Sequence, residues 1–233
     1  MKLVKIGKTM VAGLCIAATL AGAALPTMAL SPAGYTSLAQ IEEMNDADPA
    51  KVQAIKDALA NVKIVHNSQN DSWELSSNYE DYEIDSRFNY VMPWLDVSNG
   101  YNNVSFGLLL MSQDNEGFYY WTKADILTDS IESSEFILSY ESSKVSRTYS
   151  QEDKNYSEVL AFMGNDDTIN NLRELLSHET IYMRFNGNQV NNHRRTVTSL
   201  MNQENKQGIT DIINLYDLLN SATPEERAAA LNG

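Results

Sequence analysis

Residues 82–94 read Tyr82-Glu83-Ile84-Asp85-Ser86-Arg87-Phe88-Asn89-Tyr90-Val91-Met92-Pro93-Trp94. Tyr82, Ile84, Ser86, Phe88, Tyr90, Met92 and Trp94 fall at every second position, all but Ser86 large and apolar or aromatic, the period of an extended strand, whose successive side chains leave opposite faces. Pro93 cannot donate to a strand neighbour, which places it at an edge or a bulge. Just beyond, Asn99-Gly100 is a strong two-residue hairpin signal. A turn there predicts Leu95 opposite Val104, Trp94 opposite Ser105 and Met92 opposite Gly107, so that large side chains meet small ones.

Working outward, the same period predicts an antiparallel, strand-rich region from about Val62 to Tyr149. A second hairpin through Gln113–Gly117 is expected to lay Phe118-Tyr119-Tyr120-Trp121 beside Leu108-Leu109-Leu110-Met111. That sheet carries apolar side chains on both faces and must be covered on both. A further pair is expected between Glu135–Tyr140 and Val145–Tyr149.

Helical spacing flanks this region. From Tyr35 to Asn61 the pattern is helical, with Asp48 as N-cap, Pro49 at the first helical position and Val52, Ile55 and Leu59 on one stripe. After Asn165-Asp166-Asp167, Ile169, Leu172 and Leu175 mark another helix. Ile209, Ile212, Ile213, Tyr216 and Leu219 mark a third, and Thr223-Pro224 opens a short terminal one. Between the second and third, Ile181–Phe185 and a strand ending near Val197 are expected to turn through Asn186-Gly187-Asn188. The class is therefore α+β: an antiparallel central region packed with helices, followed by a helix–hairpin–helix unit. Without a linker or an internal repeat, residues 30–233 read as a single domain.

Lys2, Lys5 and Lys8 precede an uncharged run from Met10 to Leu25, then Pro26 and small residues to Ala29, the order of a secretory signal peptide. Cleavage is expected after Ala29, or as late as Ala33. The run is shorter than the roughly 20 apolar residues that span a bilayer, so no stable membrane insertion is expected after cleavage. Leu14 stands where a lipid-attachment cysteine would be preceded by a small residue, which argues against lipidation of Cys15. The expected location is outside the cytoplasm: secreted, or periplasmic or cell-envelope, in a bacterial pattern.

The chain of 233 residues has a formal net charge of −14. Losing Lys2, Lys5 and Lys8 removes three positive charges and no acid, which leaves −17. So acidic a protein is a poor nucleic-acid binder, because binding requires cations that displace counterions from phosphates. Cys15 is the only cysteine, so the mature chain is cysteine-free, with neither disulfides nor thiol chemistry.

No phosphate-binding loop, zinc-protease helix, nucleophile elbow or calcium loop is present, and no cofactor or metal is expected. His66, His178 and His193 are not at ligand spacing from one another. Ser177-His178-Glu179 are adjacent residues pointing in different directions, which cannot form a relay. Glu83 and Asp85, two apart on one strand face, stand at a separation suited to glycoside hydrolysis and are the candidate catalytic pair. Trp73 to Trp121 spans twelve of the 21 aromatic residues. Within it Trp94, Tyr119 and Trp121 are candidate stacking surfaces for a sugar or protein ligand, against the alternative that they fill the core. If the hairpin after Ile181 closes with a four-residue loop, Arg184, Tyr182, His193 and Arg195 share one face. The two arginines and the histidine are then candidate donors to an anionic ligand.

Together these observations predict an exported, soluble, non-catalytic binding or accessory module whose partner is a cell-envelope polysaccharide or protein. The competing expectation is a small extracellular hydrolase using paired carboxylates.

Overall fold

A computed structural model describes residues 47–77, 88–128, 136–141, 144–152, 154–190 and 193–233. The expected signal peptide and the pair Glu83 and Asp85 lie outside the described residues. Helix α1 (Pro49–Leu59) leads into β1 (Val62–Asn67), β2 (Ser72–Ser77), β3 (Phe88–Ser98) and β4 (Asn103–Asp114). Then come β5 (Trp121–Thr128), β6 (Phe136–Glu141), β7 (Ser146–Ser150), β8 (Asn155–Met163) and α2 (Asp166–Leu176). The chain ends in β9 (Ile181–Val190), β10 (His193–Leu200), α3 (Gln203–Ser221) and α4 (Pro224–Leu231). This is an α+β fold with a helix–hairpin–helix unit and a closing helix pair.

The helix starts follow the sequence signals. The Asp48 carboxylate accepts from the Ala50 N–H at 2.9 Å, with Pro49 opening the helix. Asn165 and Thr168 form a capping box on α2, and Thr223 and Glu226 form one on α4. Each such cap stabilises its helix by about 1 kcal/mol.

The strands form two antiparallel sheets, one of six in the order β1-β2-β3-β4-β8-β7 and one of four in the order β10-β9-β5-β6. Alternation sends Leu95, Val97, Leu108 and Leu110 to the inner face of the larger sheet. There they join Ile126, Met183 and Phe185 of the smaller sheet and Ile209, Ile212 and Leu219 of α3 in one hydrophobic cluster.

Four expected pairings differ. The β3–β4 turn holds four residues, Asn99 to Asn102, with Ser98 opposite Asn103. Asn99, Gly100 and Tyr101 have φ of 54°, 60° and 66°, a left-handed run that costs energy at a tyrosine. Arg227 of α4 holds it, its Nη1 donating to the carbonyls of Tyr101 at 2.7 Å and Asn102 at 3.2 Å. Register moves by two residues, so every side chain keeps its face but changes partner: Trp94 now lies opposite Gly107, and Leu95 opposite Phe106.

The second expected hairpin is replaced by a crossover. Strand β4 pairs with β8, while β5 lies between β9 and β6 in the other sheet. The reason is a pair of buried carboxylates. Asp114 accepts from the Glu116 N–H at 2.6 Å and from the Tyr119 hydroxyl. Glu158, 1% exposed on β8, accepts from the Tyr119 and Tyr120 N–H groups and, at 2.8 Å, from Arg147 Nε. Glu158 lies 39 and 38 positions from Tyr119 and Tyr120, beyond the reach of a local period. The third expected pair is likewise divided, since β6 joins β5 and β7 joins β8.

In the last hairpin, Asn186 and Gly187 are strand residues. Phe185 pairs with Val197, Arg184 with Thr198, and His193 with Val190. The chain runs on as strand because Gly187 and Asn186 pair with Trp121 and Lys123 of β5, a neighbour that the local turn signal does not reveal.

Candidate functional site

The alternation that fills the core also builds the opposite face of the six-stranded sheet. Tyr90, Met92, Trp94 and Asp96 of β3 point there, as do Ser105, Gly107, Leu109 and Met111 of β4. Val159, Ala161 and Met163 of β8 join them by register. None of Met92, Trp94, Leu109, Met111 and Met163 belongs to the core cluster or packs against it. Met163 is 56% exposed. Met92, Leu109 and Ala161, each half-buried, form an apolar strip with the exposed Met163, and Tyr90 on the same face is fully buried.

Trp94 marks the edge of that strip. A Cβ on Gly107 would fall 2.1 Å from Trp94 Cζ2 and 2.2 Å from Cε2, so the indole occupies the space that a side chain at 107 would take. A glycine is required there because the ring lies across its backbone. The arrangement holds a partly exposed aromatic surface in place on the sheet.

On the other side of Trp94 the face turns polar. Glu74 of β2 pairs directly with Asp96 of β3, and Ser76 with Trp94 itself. Partial burial, then the facing Asp96 charge, push the Glu74 carboxyl above its ordinary range, and Lys63 pulls it part of the way back. Burial also raises Asp96, against a hydrogen bond with Ser98. Like charges directly opposite on neighbouring strands destabilise a sheet. No local pattern reveals this pair, because Glu74 and Asp96 are 22 positions apart and only the β2–β3 register brings them together.

The other expected site residues have different surroundings. Arg184 lies on the outer face of the smaller sheet, where its Nη2 donates to Asp125 at 3.3 Å. Asp125 also accepts from Asn186 at 2.8 Å and Ser139 at 2.8 Å, with Lys123 3.1 Å away. Burial works to raise its carboxyl, but the hydrogen bonds from Ser139, Lys123 and Asn186 prevail and hold it below the usual range. Arg184 thus has a carboxylate partner within its own sheet. His193 and Arg195 are described by backbone alone. Their register places His193 five residues along β10 from Thr198, the partner of Arg184, so the face drawn from the four-residue loop does not form.

Trp121 is fully buried, its Nε1 donating to Ser112 at 2.8 Å and its ring edge-on to Phe185 at 4.8 Å. Tyr119 is buried beside it with its hydroxyl on Asp114. Both serve the junction between the sheets. Of the three aromatic candidates, Trp94 alone is on an outer face.

Among the described residues, no group of three or more His, Cys, Asp or Glu side chains is placed to hold a metal ion, and no helix is long and apolar enough to cross a membrane. Compared with protein-family models, curated proteins and solved structures, the chain matches none of them.

Proposed function

We propose that the protein is an exported, non-catalytic binding module that presents the outer face of its six-stranded sheet to a cell-envelope ligand. One observation carries this reading: Trp94, laid across Gly107, stands between an apolar strip and a carboxylate pair on a face that the hydrophobic core does not use. A sheet face without a binding role is ordinarily polar toward water. Contiguous exposed apolar surface rimmed by polar groups is a feature of interaction sites. Export rests on the Lys-headed apolar leader and its small-residue cleavage region.

The test is retention of purified protein on envelope preparations from the organism that makes it. Trp94→Ala and Leu109→Lys are expected to abolish retention, and Arg184→Ala on the other sheet to leave it intact. Equal retention of all three proteins, each verified as folded by circular dichroism, would remove the outer face from the reading.

The paired-carboxylate hydrolase is the second reading, and Glu74 facing Asp96 is the observation that favours it. Two carboxyls with raised proton affinity beside an aromatic ring resemble an acid and base flanking a sugar. Release of reducing ends from envelope polysaccharide, lost in Glu74→Gln, would establish it over the binding module.

A further inference from the structure

The outer face is amphipathic in a defined direction. Toward β4 and β8 it offers Met92, Leu109, Ala161 and Met163, which have no hydrogen-bonding groups to give a polyol. Toward β2 it offers Glu74 opposite Asp96, with Trp94 between the two halves. Methionine-rich apolar surface adapts to protein side chains. Lys63 of β1 already offsets part of the Glu74 charge, and a further cation set between the two facing carboxylates would relieve the repulsion that is left and lie beside an aromatic ring.

Building on the binding reading above, we propose that this face docks a segment of another protein that presents apolar side chains beside a Lys or Arg, with the cation received by Glu74 and Asp96. Once the Lys-headed leader is removed, charge complementarity selects this occupant over the segments left in the chain. Residues 30–46 contain Glu42, Glu43 and Asp46 and no Lys or Arg. Residues 78–87 hold Glu80, Asp81, Glu83 and Asp85 against Arg87 alone, and residues 129–135 are acidic without a cation. A second copy would bring its own Glu74 and Asp96, on a chain whose net charge is already −14, against the same face.

The mature chain's lack of cysteine makes the test specific. Protein carrying Cys15→Ser and Met163→Cys, recovered from the exported fraction after the leader is cleaved, is labelled with a benzophenone maleimide, photolysed with envelope and secreted fractions of the producing organism, and its adducts are mapped by mass spectrometry. Leu200→Cys, 59% exposed on the other sheet, is the control position. The expected result is a protein adduct at Met163 only, mapped to a segment with Lys or Arg beside apolar residues. Its yield should fall about tenfold when Glu74→Gln and Asp96→Asn are added, the loss of a charge-assisted contact. That double variant removes a repulsion and is expected to fold, which its circular dichroism checks.

An adduct to a second copy, to the chain's own residues, or to a protein segment without a cation overturns the proposal. So does a yield unchanged by the double variant. Carbohydrate adducts alone overturn the protein partner but leave the binding module standing. No adduct at position 163 overturns both.

Discussion

Asn205 stands against Val91 as a neighbouring strand would. Its Nδ2 donates to the Val91 carbonyl at 2.7 Å and its Oδ1 accepts from the Val91 N–H at 3.3 Å. Among the described residues the last β2–β3 pair is Ser76 with Trp94, and at Val91 a fully buried side chain on α3 satisfies the backbone. Asn205→Leu keeps the branched shape and removes both bonds. Leaving a buried donor and acceptor unmet is expected to cost about 2–4 kcal/mol in urea unfolding, with faster amide exchange at Val91.

Gly107→Ala tests the placement of Trp94. The new Cβ would overlap the indole, so the ring must leave its seat, with an expected cost of about 1–3 kcal/mol and a shift in tryptophan fluorescence. In Trp94→Ala the same glycine substitution is expected to be nearly neutral, a coupling that a double-mutant cycle reads directly.

Glu158→Gln tests the crossover. Both carboxylate oxygens accept from donors only, Arg147 on one and the Tyr119 and Tyr120 N–H groups on the other. A glutamine must turn its NH₂ toward one set. The expected loss is about 2–3 kcal/mol, measured by thermal unfolding, with increased exchange at Tyr119 and Tyr120.

Glu74 and Asp96 make a pH prediction. A carboxyl whose pKa is higher in the folded than in the unfolded chain is penalised when ionised, so this pair subtracts stability at neutral pH. The penalty fades as pH falls through the raised values and is gone below the unfolded values, near 4. Glu74→Gln is therefore expected to unfold at higher urea than the parent at pH 7, and at the same urea at about pH 3.5. A lower midpoint at pH 7 would mean that the attraction of Lys63 outweighs the repulsion of Asp96.

Arg227→Met tests the β3–β4 turn. The guanidinium is buried, donates from Nε to the Leu219 carbonyl at 2.7 Å, and reaches across to Tyr101 and Asn102. Its loss leaves three carbonyls short of a donor and is expected to cost about 2–3 kcal/mol, with amide exchange rising from Ser98 to Val104 more than in the rest of the sheet.

What was legible in the sequence was local. Asp48-Pro49 and Thr223-Pro224 marked helix starts because capping is settled within four residues. The alternation through Tyr90, Met92 and Trp94 marked a strand, and those residues share a face because a shift of register by two leaves sides unchanged. For the same reason Trp94 kept its expected face even though its predicted partner, Ser105, was replaced by Gly107. The α+β class followed from these periods alone.

The partners were decided only by the tertiary structure. The Gln113–Gly117 hairpin gave way to a crossover because Glu158, on a strand some forty residues later, supplies acceptors that a hairpin would have taken from β4. Arg184 found Asp125 through the β5–β9 pairing, and Trp121 went to the core because Ser112 and Phe185 met it there. Glu74 and Asp96 came to face one another because β2 and β3 paired in one register. A period in the sequence specifies which side a residue faces; what it faces depends on which distant strand closes the sheet, and that is settled by packing and by the satisfaction of buried polar groups.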